Sequence, residues 1–490
     1  MAFELVAKTL MGLEDVLAEE LRSLGAASVA PGRRMVSFEG DLEMMYRANV
    51  WCRTALCILK PIYKFTAADT DSLYEIVKEY DWGSVLSLNK NFSIDATVNS
   101  HVFTHSHFVV YRVKDAIVDW FKDRYGEGKR PKVCVSGEAD VKINVHIDGE
   151  RVTLSLNSSG ESLHKRGWRV KQTEAPINEV LAAGIILKSG WRGESPFVDP
   201  MCGSGTFLIE AAMIAADIAP GSYRKGWAFE NWRDFDSELL ERVMALRPRR
   251  TEITTKIYGA DISPRAISVA EGNVLSAGVD DIVSLRTRSI RQWEEAPGNG
   301  TQGIVVTNPP YGERINPEDI NDLYRALGTK LKRVFVGWHA WVISSNIDCL
   351  NKIGLTPSRS EETQNGGINC LLREYVTFEG TKEAFRRQGG VVKSSVGNND
   401  VKPRRQARKT DEQWRRDADK KGLGGKKSER RREPKEENNR PSEAEELLSR
   451  RRNVRLLKQI SKGPSTPSLP ATEGTFMRTR RRWKRPDSQD

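Results

Sequence analysis

Two short stretches carry residue types that can do chemistry, and each sits where an apolar run stops. DPMCGSGT, Asp199 to Thr206, follows Pro196-Phe197-Val198, and TNPPYGER, Thr307 to Arg314, follows Gly303-Ile304-Val305-Val306. In the first, Gly203 and Gly205 permit a tight turn and close approach of backbone to a ligand, and the amides of a helix starting there favour an anionic group. Leu208 stands where a dinucleotide fingerprint wants its third glycine, and no Gly-Lys-Ser/Thr follows to make a Walker loop. What remains is acidic: Asp199 ahead of the glycines, and Asp261 at the end of Lys256-Ile257-Tyr258-Gly259-Ala260. Such carboxylates repel a pyrophosphate but accept ribose hydroxyls or attract an ammonium and a sulfonium. In the second stretch Asn308 offers an amide oxygen, and Pro309-Pro310 fixes the backbone so that the carbonyl before Pro310 is not bonded in the sheet. Two acceptors at a fixed angle take both hydrogens of a planar exocyclic amine and leave its nitrogen facing a methyl donor. Tyr311 adds a flat face on which a base stacks.

These stretches need elements that hold them together. From Ser195 onward, buried strands alternate with helices, the rhythm of a mostly parallel sheet. Strands are expected at Phe197-Val198, Ile257–Ala260, Val283–Leu285, Ile304–Val306 and Ala340–Ile343, and helices at Phe207–Ala216 and Pro264–Ala277, the latter with proline in its first turn. Sheets of this kind bind ligands at the carboxyl ends of their strands, where both stretches fall. Residues 60 to 157 read as a smaller α+β module. Asn91–Val98 alternates as a strand, Val109–Tyr125 repeats apolar residues at helical spacing, and strands on either side of Asp148-Gly149 signal a hairpin.

At 490 residues the chain exceeds one compact core, so two or three domains are expected. No apolar run reaches the roughly 18 residues of a membrane span. The start, Met1 to Leu5 followed by Leu13-Glu14-Asp15, is too acidic for a signal peptide. The six cysteines are scattered without metal spacing, as are the six histidines, so reduced thiols, a cytoplasmic location and no metal are expected. The charge of +11 is unevenly spread: residues 386–490 carry 31 basic and 15 acidic side chains, a net +16, which leaves about −5 on residues 1–385. With few large apolar residues among its arginine clusters, this tail is expected to be disordered and to tether a polyanion.

The motifs DPMCGSGTFLIEAA, GADIS, TNPPYGERI and NGGINCLLREY resemble the class I S-adenosylmethionine-dependent RNA methyltransferases that carry a THUMP domain, and in particular the guanine-N2 methyltransferase half of the bacterial 23S rRNA enzyme. SLHKRGWR, Ser162 to Arg169, is similar to that family's link between THUMP and catalytic domains, and the resemblance runs from residue 1 to about 382. It implies an α/β protein: a ferredoxin-like region over 1–58, a THUMP RNA-binding domain over 59–160, a linker over 161–176, a Rossmann-like seven-stranded methyltransferase domain over 177–382, and the basic tail over 383–490. The second catalytic domain of some relatives, and with it guanine-N7 methylation, is not expected.

The same resemblance assigns site residues. Asp199, Cys202, Gly203, Gly205 and Thr206 match the methionine-side motif for S-adenosylmethionine, Asp261 the residue on its ribose, and Ser289 the position of an adenine contact, although Arg288-Ser289 departs from the acidic residue common there. Asn308, Pro309, Pro310 and Tyr311 match the motif that holds the target amine. Lys165, Arg166, Trp168 and Arg169, charges around an aromatic, are expected to contact RNA, with an interdomain clasp as the other reading. The expected activity is methyl transfer to guanine N2 in 23S rRNA. The alternatives are guanine N2 in tRNA, adenine N6 in RNA, and a noncatalytic RNA-binding factor of ribosome assembly.

Overall fold

The computed structural model describes residues 2–134, 139–173, 176–250, 252–310 and 317–380, with residue 387. Tyr311 and the basic tail, Arg387 aside, lie outside the described residues. Two sheets organise the rest.

The first sheet has eight strands: β1 (Phe3–Lys8), β2 (Ala27–Gly32), β3 (Met35–Gly40), β4 (Cys57–Thr66), β5 (Asn91–Asn99), β6 (Lys132–Val133), β7 (Val141–Asp148) and β8 (Arg151–Asn157). Their spatial order is β2-β3-β1-β4-β8-β7-β5-β6. The ferredoxin-like and THUMP regions therefore share one sheet, because β4 pairs with β1 along one edge and with β8 along the other. Pro61 has no amide to give a ladder, and the β4–β8 register slips between Pro61 and Tyr63 as a bulge. β7 and β8 form the hairpin expected at Asp148-Gly149, and β7 buries every second residue from Val141 to Ile147. Helices α1 (Glu14–Ser23) and α2 (Leu42–Trp51) belong to the first half, α3 (Thr70–Glu79) and α4 (Ser106–Tyr125) to the second. α4 buries Val109, Val113, Ala116, Ile117 and Phe121, one face at helical spacing.

The second sheet contains β9 (Phe197–Asp199), β10 (Ile257–Asp261), β11 (Val283–Thr287), β12 (Ile304–Thr307), β13 (His339–Ser344), β14 (Arg359–Asn365) and β15 (Ile368–Val376), in the order β11-β10-β9-β12-β13-β15-β14. It is parallel through β13, and β15 is antiparallel to both its neighbours. The helices are α5 (Glu179–Lys188), α6 (Thr206–Ala215), α7 (Ser237–Met244), α8 (Pro264–Ser276), α9 (Pro317–Arg333) and α10 (Ile347–Lys352). α6 is buried at every position, its apolar run interrupted only by Glu210. Leu13 packs on α5 where Gly184 has no side chain, since a Cβ there would stand 2.5 Å from Leu13 Cδ1.

The linker between the sheets corrects one expectation. Arg166 and Trp168 do not face solvent: they are 2% and 1% exposed, and Trp168 sits in the apolar core with α5 and α6. The Arg166 guanidinium pairs with the equally buried Glu210 of α6 at 3.2 Å and donates to the carbonyls of Leu163 at 2.9 Å and Arg53 at 2.5 Å. They form an interdomain clasp, and a nucleic acid cannot reach them in this fold. Removing one partner of a buried pair strands the other charge. Arg166→Met should therefore lower stability by about 3–5 kcal/mol, read as a fall in the urea midpoint, and a shift below about 1 kcal/mol would show that the pair carries little.

Candidate active site

The site is built at the carboxyl ends of three adjacent strands. β9 lies between β10 and β12, with Gly259 opposite Asp199 on one side and Val305 opposite Val198 on the other. Asp199, Asp261 and Asn308 thus reach the same edge of the sheet. Thr307 Oγ1 donates to Asp199 Oδ1 at 2.8 Å, and the Met201 amide donates to the same oxygen at 3.1 Å. Burial outweighs these two bonds: with Asp261 adding a like charge, it pushes the Asp199 carboxyl up to about 7. The neighbouring Cys202 thiol is buried and pushed well above its ordinary range, which makes it a packing group and no nucleophile.

Asp261 shapes the glycine loop. Its Oδ2 accepts the Gly203 amide at 3.0 Å and its Oδ1 the Ser263 amide at 2.9 Å. Gly203 and Gly205 adopt φ of 53° and 83°, in the left-handed region where a side chain is strained, and Gly205 begins α6. Leu208, in the place of a third glycine, packs on Gly259, whose Cβ would lie 2.2 Å from Leu208 Cδ1. The small residue that close helix–strand packing requires sits on the strand here, so the missing glycine does not disrupt the turn. Ser289 lies two residues past Thr287, the partner of Asp261, and its hydroxyl accepts the Arg291 amide at 3.3 Å as a cap.

Asn308 follows β12 directly and is half-buried, while Pro309 is buried and Pro310 exposed. The Asn308 Oδ1 is itself buried and has no hydrogen-bond partner among the described residues. An unpaired buried acceptor costs about 1–3 kcal/mol, which a donor bound at this strand end would recover.

Sequence reasoning missed how the glycine loop is held from behind. Arg169 donates to Glu179 Oε1 at 2.7 Å, Ser204 Oγ at 2.9 Å and Thr206 Oγ1 at 2.9 Å, and stacks on Trp168. Its guanidinium and the Thr206 hydroxyl are committed to each other, so Arg169 braces the loop. Asn273 of α8, wholly buried, accepts the amides of Val170 and Lys171 at 2.9 and 3.1 Å and donates to the carbonyls of Lys171 and Ser204 at 2.9 and 3.0 Å. A polar residue on the buried face that also holds Ala266, Ala270 and Val274 was the available signal. Of the linker residues expected to meet RNA, Lys165 alone is exposed, in an ion pair with Glu161.

Numbered from β9, the strand order is 3-2-1-4-5-7-6, and with a glycine loop after the first strand and Asn-Pro-Pro after the fourth it defines a class I methyltransferase domain. Family models agree: residues 166–374 match an RMKL-like methyltransferase domain, 67–157 a THUMP domain and 4–59 an RlmL ferredoxin-like domain. A Synechocystis protein provisionally named an RNA methyltransferase is 36% identical over 75% of this chain and 95% of its own length. The ribosomal RNA large subunit methyltransferase K/L of Syntrophotalea carbinolica is 38% identical over 74% of this chain, which spans 52% of that relative's length. A crystal structure of SMU.472, described as a methyltransferase complexed with SAH, aligns with a TM-score of 0.68 at 31% identity, covering 78% of this chain and 99% of that one. The chain belongs to this family of THUMP-bearing methyltransferases.

The bracing of the loop is measurable. In Asn273→Ala, hydrogen exchange at the Val170 and Lys171 amides should speed up, by about tenfold for each 1.4 kcal/mol of lost local stability. Unchanged exchange there would show that Asn273 does not hold the linker.

Proposed function

We propose that the chain transfers a methyl group from S-adenosylmethionine to the exocyclic N2 amine of a guanine in large-subunit ribosomal RNA. The observation that carries this reading is the buried, unpartnered Asn308 Oδ1 beside the acidic strand ends. RNA as substrate is supported by the THUMP match, by the names of the relatives and by the +16 tail.

The residues present fit the donor. Asp199, buried and costly to ionise, favours a cationic partner such as an ammonium or sulfonium. A carboxylate has about four lone-pair positions, so Asp261 can hold the loop amides and still accept ribose hydroxyls. Gly203 and Gly205 leave the backbone open to close approach, and Ser289, which follows the Arg288 amide bonded to the Asp261 carbonyl, is assigned the adenine contact. When bound, S-adenosylmethionine supplies an electrophilic methyl group. Asn308 Oδ1 and the Pro309 carbonyl accept the two N2 hydrogens of an unstacked guanine and orient its nitrogen, with the Tyr311 ring as the stacking face. Orientation and charge placement provide most of the rate, and the proton leaves to solvent after transfer, so no general base is assigned.

Incubation with labelled S-adenosylmethionine and unmodified ribosomal RNA should place label in N2-methylguanosine; label in adenosine or in protein overturns the reading. Asn308→Ala should lose about 100-fold in kcat with donor affinity unchanged, the scale of a misplaced reacting group.

Asp199 adds a pH signature. Its folded carboxyl titrates near 7 against an ordinary 3.8, so the folded state holds this proton more tightly and stability without ligand falls as pH rises across that window. The cationic donor selects the ionised form. Affinity should therefore rise about tenfold per pH unit below pH 7, with proton release on binding seen by calorimetry, and Asp199→Asn should flatten that rise.

A further inference from the structure

A cleft of about 890 Å³ opens beside the methyltransferase sheet, walled by β7, the linker, the segment between α6 and α7, the start of α5 and the β14–β15 turn. Three lysines from three separate parts of the chain line it: Lys142 on β7, Lys165 on the linker and Lys225 after α6. We propose that this cleft is the groove for the single-stranded RNA flanking the target nucleotide, with Lys142 and Lys225 holding its phosphates. The inference rests on the RNA-methylation reading and gives it a path.

Charge decides the sign of the ligand. The wall carries six basic side chains against four acidic ones; Glu161 and Glu179 are paired with Lys165 and Arg169, while Asp140 and Glu230 accept the Asn91 and Trp227 amides at 2.8 and 2.7 Å. Glu161 is held below its ordinary range first by its bond to Lys165, with Lys142 a weaker neighbour. The ammonium groups of Lys142 and Lys225 make no hydrogen bond or ion pair among the described residues. Among the described residues the cleft therefore keeps an excess of positive charge and two unpaired ammonium groups, the character of a phosphate-binding wall.

Geometry gives the direction. The β14–β15 turn lies beyond the carboxyl end of β13, since Ser344 pairs with Leu371 while Asn365 pairs with Ile368 further on. The Asn178 amide donates to Asn365 at 3.3 Å, which joins the start of α5 to that turn. Arg169, in the same wall, grips Ser204 and Thr206 of the glycine loop. The groove thus opens at the end of the sheet that carries Asn308. Gly167, at φ 106°, lets the linker touch the Tyr223 carbonyl, 2.1 Å from where its Cβ would be, so the strips bearing Lys165 and Lys225 are fixed against each other. The volume is that of a small-molecule pocket, about 300–1,000 Å³, which admits a few nucleotides of one strand and no duplex.

The test uses the full chain and a fluorescein-labelled 12-nucleotide oligouridylate, with binding followed by anisotropy across salt concentrations. Each lost phosphate contact should reduce the slope of log affinity against log salt by about 0.7 for a single strand. Lys142→Gln and Lys225→Gln should each show that loss and the double variant about 1.4, while Lys129→Gln, outside the cleft, keeps the wild-type slope. The tail contributes equally to all four and cancels. Binding of S-adenosylhomocysteine by each variant reports that the fold is intact. A wild-type slope in the folded double variant overturns the groove while leaving the methylation reading standing. The same loss on a 12-base-pair RNA duplex overturns the single-strand assignment, and a wild-type chain that neither binds nor methylates RNA overturns both readings.

Discussion

The hydrogen bond from Thr307 Oγ1 to Asp199 Oδ1 ties together the two strand ends on which the catalytic edge depends. It spans 108 residues of sequence and is buried from water at both ends. Through it, the buried acid at the end of β9 and the Asn308 loop after β12 keep one spacing. The parallel pairing of β9 with β12 makes that contact available, because parallel neighbours bring like ends together. An antiparallel arrangement would have sent Asn308 to the opposite edge.

Around that contact the fold is a sequence of clamps. Asp261 holds the front of the glycine loop, Arg169 and Asn273 hold its back, and Arg166 with Glu210 anchors the linker that supplies Arg169. Two of these four supports, Arg166 and Arg169, come from the segment that follows the THUMP match, and Arg166 also donates to the Arg53 carbonyl of the ferredoxin-like region.

The strands of the second sheet, the helices at Phe207 and Pro264 and the Asp148-Gly149 hairpin were legible because apolar periodicity and turn residues are local signals. The glycine loop was legible because few residue types satisfy a left-handed turn, and the end of β12 because prolines break a ladder. Arg166 and Trp168 were not: Lys165, Arg166, Trp168 and Arg169 look alike in a sequence as basic and aromatic residues, and only Glu210 and the Arg53 carbonyl, both distant in sequence, draw Arg166 inward. The role of Asn273 was hidden for the same reason, since its partners lie about seventy to a hundred residues away. The continuity of the first sheet was not legible, because the expected domain boundary at 58/59 falls inside β4, which runs on through a bulge at Pro61.

That shared strand has a mechanical consequence. A hinge between two modules needs a connection whose hydrogen bonds can be given up cheaply, yet β4 is bonded to β1 and to β8 at once. Swinging the ferredoxin-like half against the THUMP half would tear one ladder or the other. The described residues of the first sheet therefore move as one plate, which the Arg166–Glu210 pair and the packing of Leu13 at Gly184 tie to the methyltransferase domain.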